Sequence, residues 1–166
     1  MSMKRTARVE IQQSKPFPSL AEEVHVEVLL TAQATNWVAM MALKPSGLSP
    51  TQFNVLRILR GARPDALPAG RIADRMVTRD PDLTRLLDRL EAQGLVEKSR
   101  DAEDRRVVNV RITKAGLARL VPASKAINQA LKAALNPLGV RKLERLANLL
   151  DQARVSVRQH SQEHSD

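Results

Sequence analysis

The chain has no cysteine and no tyrosine, and only one tryptophan and two phenylalanines among its 166 residues. Without cysteine there can be no disulfide, no thiol redox sensor and no cysteine-ligated metal. With so few aromatics, a core has to be built from Leu, Val, Ala, Ile and Met. The hydrophobic fraction of 43% is enough for one such core, and one domain is the expectation at this length. No unbroken apolar run approaches the ~18 residues of a membrane span, so no membrane partner is expected. The basic start, Met1-Ser2-Met3-Lys4-Arg5, is not followed by an apolar segment and does not read as a secretion signal. A cytoplasmic protein is expected. No nucleophile–base arrangement, phosphate-binding loop or metal constellation stands out, so no catalytic residue, cofactor or metal is expected. His160 and His164 are four apart, as zinc ligands on a helix can be, but the sequence places no third ligand beside them.

What is present is positive charge, +9 in net. That suits a polyanionic partner. Its distribution is uneven. Residues 68–112 carry 10 basic and 9 acidic side chains, whereas residues 113–166 carry 9 and 4. Residues 1–18 carry 4 and 1. The excess therefore lies in the flanks, and any polyanion reader within residues 68–112 must act through placed side chains rather than bulk charge.

Along the chain, residues 1–18 lack periodicity and contain Pro16 and Pro18, which predicts a flexible basic arm. Lys4, Arg5, Arg8 and Lys15 within it are available for phosphates or simply for water. Ser19, with Glu22 three residues on, predicts a helix start. The helix should run to about Leu43. Leu20, Val24, Val28 and Thr31 share one face, and Val26, Leu29, Leu30, Gln33, Trp37 and Met41 share a second. Two apolar faces predict burial on two sides, one against the domain and one against a partner subunit. Lys44-Pro45-Ser46-Gly47 ends this unit, residues 19–47.

Ser49-Pro50-Thr51-Gln52 predicts the next helix: a serine cap, a proline in the first turn and a capping-box glutamine. Phe53, Leu56, Ile58 and Leu59 supply its apolar face, and Arg60-Gly61 to Pro64 stops it. Pro68 opens a short helix with Ile72, Ala73 and Met76 facing inward. Asp80-Pro81 opens another, which runs to Gln93 and is closed by Gly94. Leu83, Leu86, Leu87 and Leu90 make its core stripe. Asp82, Thr84, Arg85, Asp88 and Arg89 make its polar face. Leu95–Arg100 and Arg106–Ile112 then alternate as paired strands. The linker between them, Asp101-Ala102-Glu103-Asp104-Arg105, is charged and lacks glycine, which predicts a projecting wing rather than a tight hairpin. The layout is that of a winged helix-turn-helix. Residues 117–158 should form the closing helices, interrupted or kinked at Pro122, with a stripe of Leu143, Leu146, Ala147, Leu150, Ala153 and Val157. Residues 159–166 read as a disordered tail. The fold class is thus mainly α with a small β-wing, a winged helix-turn-helix between long N- and C-terminal helices.

Within residues 48–116, the segments Leu48–Leu56, Thr84–Val96, Arg100–Arg106 and Ile112-Thr113-Lys114-Ala115-Gly116 together resemble the MarR family of bacterial transcriptional regulators. The wing tip with Asp104-Arg105-Arg106 and the Thr113-x-x-Gly116 helix start are the most specific of these. The resemblance implies a homodimer whose terminal helices interlace, a pseudo-palindromic double-stranded DNA operator, and a small, often aromatic, anionic effector. It also makes the terminal helices dimerisation helices. The lack of cysteine excludes the peroxide-sensing branch of the family.

The residues themselves fit that function. Arg79, Asp82, Thr84, Arg85 and Arg89 are the candidate DNA contacts on and before the recognition helix. Asp104, Arg105 and Arg106 are the candidates on the wing, with Asp104 extending the Arg106 guanidinium toward a minor groove. His25, Trp37, Met40, Met41, Phe53 and Arg57 are candidates for an effector pocket. Each has a plainer role open to it, in the core or at a dimer interface. The alternative function is a winged-helix protein–protein adaptor that reads no DNA.

Overall fold

A computed structural model describes residues 10–77 and 82–164 of the chain. Helix α1 spans Leu20–Leu43 and starts on the Ser19 hydroxyl, which accepts the Glu22 amide at 3.1 Å. A 3-10 turn, Lys44–Ser46, ends at Gly47 with φ 68°, a left-handed backbone that costs glycine nothing. Helix α2, Pro50–Ala62, carries a complete capping box: the Ser49 hydroxyl accepts from the Gln52 amide, and the Gln52 side chain accepts from the Ser49 amide at 2.9 Å.

A two-residue strand β1 (Leu67–Pro68) leads into helix α3 (Ala69–Arg75). Helix α4, the recognition-helix candidate, spans Leu83–Ala92. It starts two residues past Pro81, with Asp82 as its half-buried cap residue. The expected start at Asp80-Pro81 lies outside the described residues. Gly94, at φ 68°, closes α4: its amide donates to the Glu91 carbonyl at 2.8 Å, and the Leu95 amide reaches back to the Leu90 carbonyl at 2.9 Å.

Strands β2 (Val96–Arg100) and β3 (Val108–Ile112) follow as an antiparallel pair, with Val96 opposite Ile112 and Lys98 opposite Val110. The sheet has three strands in the order β1-β3-β2, because Leu67 pairs opposite Val110. Two residues, one of them a proline, are too short for an alternating pattern, so β1 could not be seen in the sequence. The core is aliphatic, as the scarcity of aromatics requires. Val55, Leu56, Leu59, Ile72, Leu90, Val110 and Leu120 are all at most 1% exposed.

Helix α5 (Lys114–Leu135) runs unbroken through Pro122. Of the interruption or kink expected there, the interruption is corrected. Pro122 sits on the solvent side while Leu120 and Ala123 are buried beside it, so the missing amide is lost where water can satisfy its partner. After a 3-10 turn at Asn136–Leu138, helix α6 spans Val140–Glu163. The expected disordered tail from residue 159 is therefore also corrected, as far as the described residues extend. Gln159, Gln162 and Glu163 are adequate helix formers, and an end to apolar periodicity does not end a helix. The Ser161 hydroxyl donates to the Val157 carbonyl within it, at 2.9 Å.

Within Leu20–Ser46 an 18-residue window reaches a mean hydropathy of 1.2, so this helix is long and apolar enough to cross a membrane by length and composition only. No unbroken apolar run exists there, but Thr31, Gln33, Thr35 and Asn36 interrupt it without charge and leave the average high. Of α1, only Leu43 is buried. Leu20, Leu29 and Trp37 are 64%, 55% and 61% exposed.

Candidate nucleic-acid interface

The wing is organised by two carboxylates. Asp101 opens it: its Oδ1 accepts the amides of Glu103 at 3.0 Å and Asp104 at 3.3 Å, and its Oδ2 accepts the Asn109 side-chain amide at 2.8 Å. One side chain thus folds the turn and ties it to the returning strand. The backbone closes with the Asp101 amide on the Val107 carbonyl, at 3.0 Å, and the Val107 amide on the Asp104 carbonyl, at 2.9 Å. The Arg100 guanidinium adds a bond to the Arg105 carbonyl at 2.9 Å. The bond from Asn109 first, and those from the Glu103 and Asp104 amides next, hold the Asp101 carboxyl below the usual carboxylate range.

Asp104 holds Arg106. Its Oδ1 accepts the Arg106 amide at 2.9 Å and Nε at 3.0 Å, and its Oδ2 accepts Nη2 at 3.1 Å. This is a two-point fork that fixes the guanidinium plane. The Arg106 side chain is nonetheless 91% exposed. The bond to Arg106 lowers the Asp104 pKa and raises that of Arg106, so both stay charged at neutral pH. A cation with a fixed direction and an open surface can enter a groove of a polyanion without first losing side-chain freedom. Arg105, beside it, is exposed.

On α4 the Leu stripe is buried at Leu86, Leu87 and Leu90, and the opposite face is open. Thr84, Arg85 and Arg89 are exposed. Arg85 lies 3.3 Å from the Asp82 carboxylate through Nη1, yet its side chain remains 81% exposed. Such a bond costs little to exchange for a base or phosphate. Arg79 lies outside the described residues, as do Lys4, Arg5 and Arg8.

The base of the wing explains the Thr113-x-x-Gly116 spacing. The Thr113 hydroxyl donates to the Gly94 carbonyl at 2.7 Å and accepts the Gly116 amide at 2.9 Å. It therefore caps α5 and ties it to the end of α4. A Cβ at Gly116 would run into the Leu95 carbonyl oxygen and stand 2.8 Å from Ile112 Cγ1. Only glycine fits there.

The structure does not gather all six pocket candidates. Trp37 and Met40 line an open groove of about 1030 Å³ together with Leu29, Gln33 and Pro50. His25 and Met41 are exposed elsewhere on α1. Phe53 packs against the core, and Arg57 donates to Asn54 at 3.2 Å. At the far end of α6, Glu163 supplies a third donor beside His160 and His164, with ligand atoms within 4.8 Å of one another. All three are exposed.

Two features escaped the sequence reading: the Asp101–Asn109 tie and the partners of Lys98. Lys98 Nζ lies 2.5 Å from Asp88 Oδ1 and 2.9 Å from Glu91 Oε2. An Asp and an Asn eight residues apart, flanking a charged tip, could have signalled the first. The second joins a helix to a strand and leaves no short-range pattern.

A model of the MarR family matches residues 46–107. The chain is 34% identical to a MarR transcription factor from Planctomyces limnophilus whose structure is solved, with a TM-score of 0.64, covering 82% of this chain and 99% of that one. A MarR-like regulator from Bacillus cereus, 17% identical, shares the fold with a TM-score of 0.75 over 82% of this chain and 96% of its own. Among curated proteins, the transcriptional repressor MdtR of Bacillus subtilis is 26% identical over 102 residues, 61% of this chain. The match spans 64% of that repressor's length.

Proposed function

This chain belongs to the MarR family of winged helix-turn-helix transcriptional regulators, a non-enzymatic family, and from that premise we propose that it is an operator-binding repressor acting as a homodimer. The observation that carries the DNA reading is the Asp104–Arg106 fork: a fully charged guanidinium, oriented at two points and 91% exposed at the tip of a braced wing. The open polar face of α4, with Arg85 and Arg89, supplies the second half of a helix-plus-wing footprint.

Support for the dimer comes from α6. It has 24 residues and none is buried, while Leu146, Leu149, Leu150 and Val157 are exposed at 38% to 65%. Helices in proteins draw most of their stability from packing an apolar face, and among the described residues the stripe of this helix stays exposed. A second copy of the chain provides the missing surface, and the second apolar face of α1 joins it. Two copies related by a two-fold axis read a pseudo-palindrome with half-sites ~10 bp apart or a multiple of that. Repression follows the activity named for the Bacillus subtilis relative. Acting on the chromosome places the protein in the bacterial cytoplasm. The groove at Trp37 and Met40 is the site for a small, aromatic, anionic effector, with Arg57, which does not line it, as the candidate positive partner.

The deciding experiment is a mobility shift with the intergenic DNA upstream of the gene, over a salt series. A shifted complex of two chains whose affinity falls steeply with salt supports the reading. No shift from a folded dimer would leave the protein–protein adaptor as the better description.

A further inference from the structure

Lys98 sits on β2 at an inward register position, two residues after buried Val96 and opposite buried Val110. An inward lysine on a core-facing strand needs partners. It has two, both on α4. Its ammonium lies 2.5 Å from Asp88 and 2.9 Å from Glu91, and the Glu91 carboxylate also accepts the Lys98 backbone amide at 3.1 Å. The lysine side chain is only 22% exposed, against 53% for Asp88 and 41% for Glu91. The bonds to Asp88 first, and to Glu91 next, raise its pKa, so the ammonium stays charged.

Helical spacing makes these two carboxylates matter. Asp88 follows Arg85 by three residues and so lies beside it on the surface of α4. Glu91 follows Asp88 by three and lies at the edge of the same face. Unmasked, both would stand next to the arginines that approach the phosphates, and they would repel those phosphates. Resting on the operator reading above, we infer that Lys98 is a positioning residue for DNA recognition. It locks α4 to the wing strand so that helix and wing dock as one body, and it neutralises the two acidic groups that would otherwise weaken docking. Asp88 and Glu91 are 53% and 41% exposed, so water screens these pairs and they add little to the stability of the fold, and the effect of Lys98 falls on DNA binding.

The test uses the full chain and three variants: Lys98→Met, Lys98→Arg, and Lys98→Met combined with Asp88→Asn and Glu91→Gln. Operator affinity is measured by fluorescence anisotropy, and amide exchange of α4 and β2 is followed in the DNA-free protein. Lys98→Met is expected to lose about tenfold or more in affinity, as two unmasked charges beside the phosphates imply. It should keep its melting temperature while exchange quickens in α4 and β2. Lys98→Arg should recover most of the affinity. The triple variant should recover the electrostatic part and keep the faster exchange. Wild-type affinity in Lys98→Met, or unchanged exchange there, overturns the inference. A wild-type protein that binds no operator defeats the operator reading instead, and the exchange comparison then still decides whether Lys98 joins helix to wing.

Discussion

Asp101 and Asn109 close the mouth of the wing across eight residues, with the Asn109 amide 2.8 Å from Asp101 Oδ2. The same carboxylate folds the turn through the Glu103 and Asp104 amides. Asp101 therefore holds the loop on which Asp104 presents Arg106. Replacing Asn109 with Ala should loosen the tip and lower operator affinity several-fold, about what one lost hydrogen bond implies. Melting temperature should hardly move. Isothermal titration with the operator beside a thermal melt checks both.

Arg106→Ala should reduce operator affinity by about tenfold or more and flatten its salt dependence. Asp104→Ala should do less, because the guanidinium survives but is no longer oriented. Equal losses for the two would mean that Asp104 contributes more than orientation. Binding isotherms at three salt concentrations give the comparison.

The pH dependence of the wing follows from its two carboxylates. Both folded pKa values are depressed, Asp101 chiefly by Asn109 and Asp104 chiefly by Arg106. Their contribution is complete above the ordinary carboxylate range near ~4 and is lost only as pH falls through the lower folded values. The Asn109 side-chain amide resonances should therefore stay in their neutral-pH positions to below pH ~4. A change between pH ~5 and ~7 would contradict this.

Gly116→Ala should destabilise the fold by about 2 kcal/mol or more, because a Cβ meets the Leu95 carbonyl and Ile112, which a packed core cannot relax. A denaturant melt measures it. Gly61→Ala is the control: nothing lies within 4 Å of a Cβ there.

Leu150→Arg, on the exposed stripe of α6, should convert a dimer into monomers while the lobe of α2 to β3 stays folded. Each leucine buried in such an interface is worth about 1.5–3 kcal/mol, and a two-fold interface loses it twice. Analytical ultracentrifugation with a circular dichroism melt distinguishes loss of assembly from loss of fold.

Trp37 is the lone tryptophan and stands 61% exposed in the groove. An aromatic carboxylate bound there should change its fluorescence, and Trp37→Phe should remove the signal. Unchanged fluorescence at saturating ligand would remove this groove as the effector site.

Much of this was legible in residue order because it depends on neighbours in the chain. The Ser49–Gln52 box, the Leu83–Leu90 stripe, the Gly94 stop and the alternating Val108, Val110 and Ile112 all act over a few residues, where spacing alone decides geometry. The Asp104–Arg106 pairing is two residues long and was equally open to inspection. Periodicity is a poor guide to where a helix ends. A polar end to α6 remained helical, and Pro122 was absorbed on a solvent face.

The sequence by itself determined the family, the order of helices and strands, and the charge at the wing tip, since each is written in short patterns. Only the tertiary structure decided what brings helix and wing together. Lys98 reaches Asp88 and Glu91 across ten and seven positions, Leu67 adds a third strand against Val110, and Gly116 makes room for Leu95. Those contacts join residues distant in the chain, and only packing brings them together.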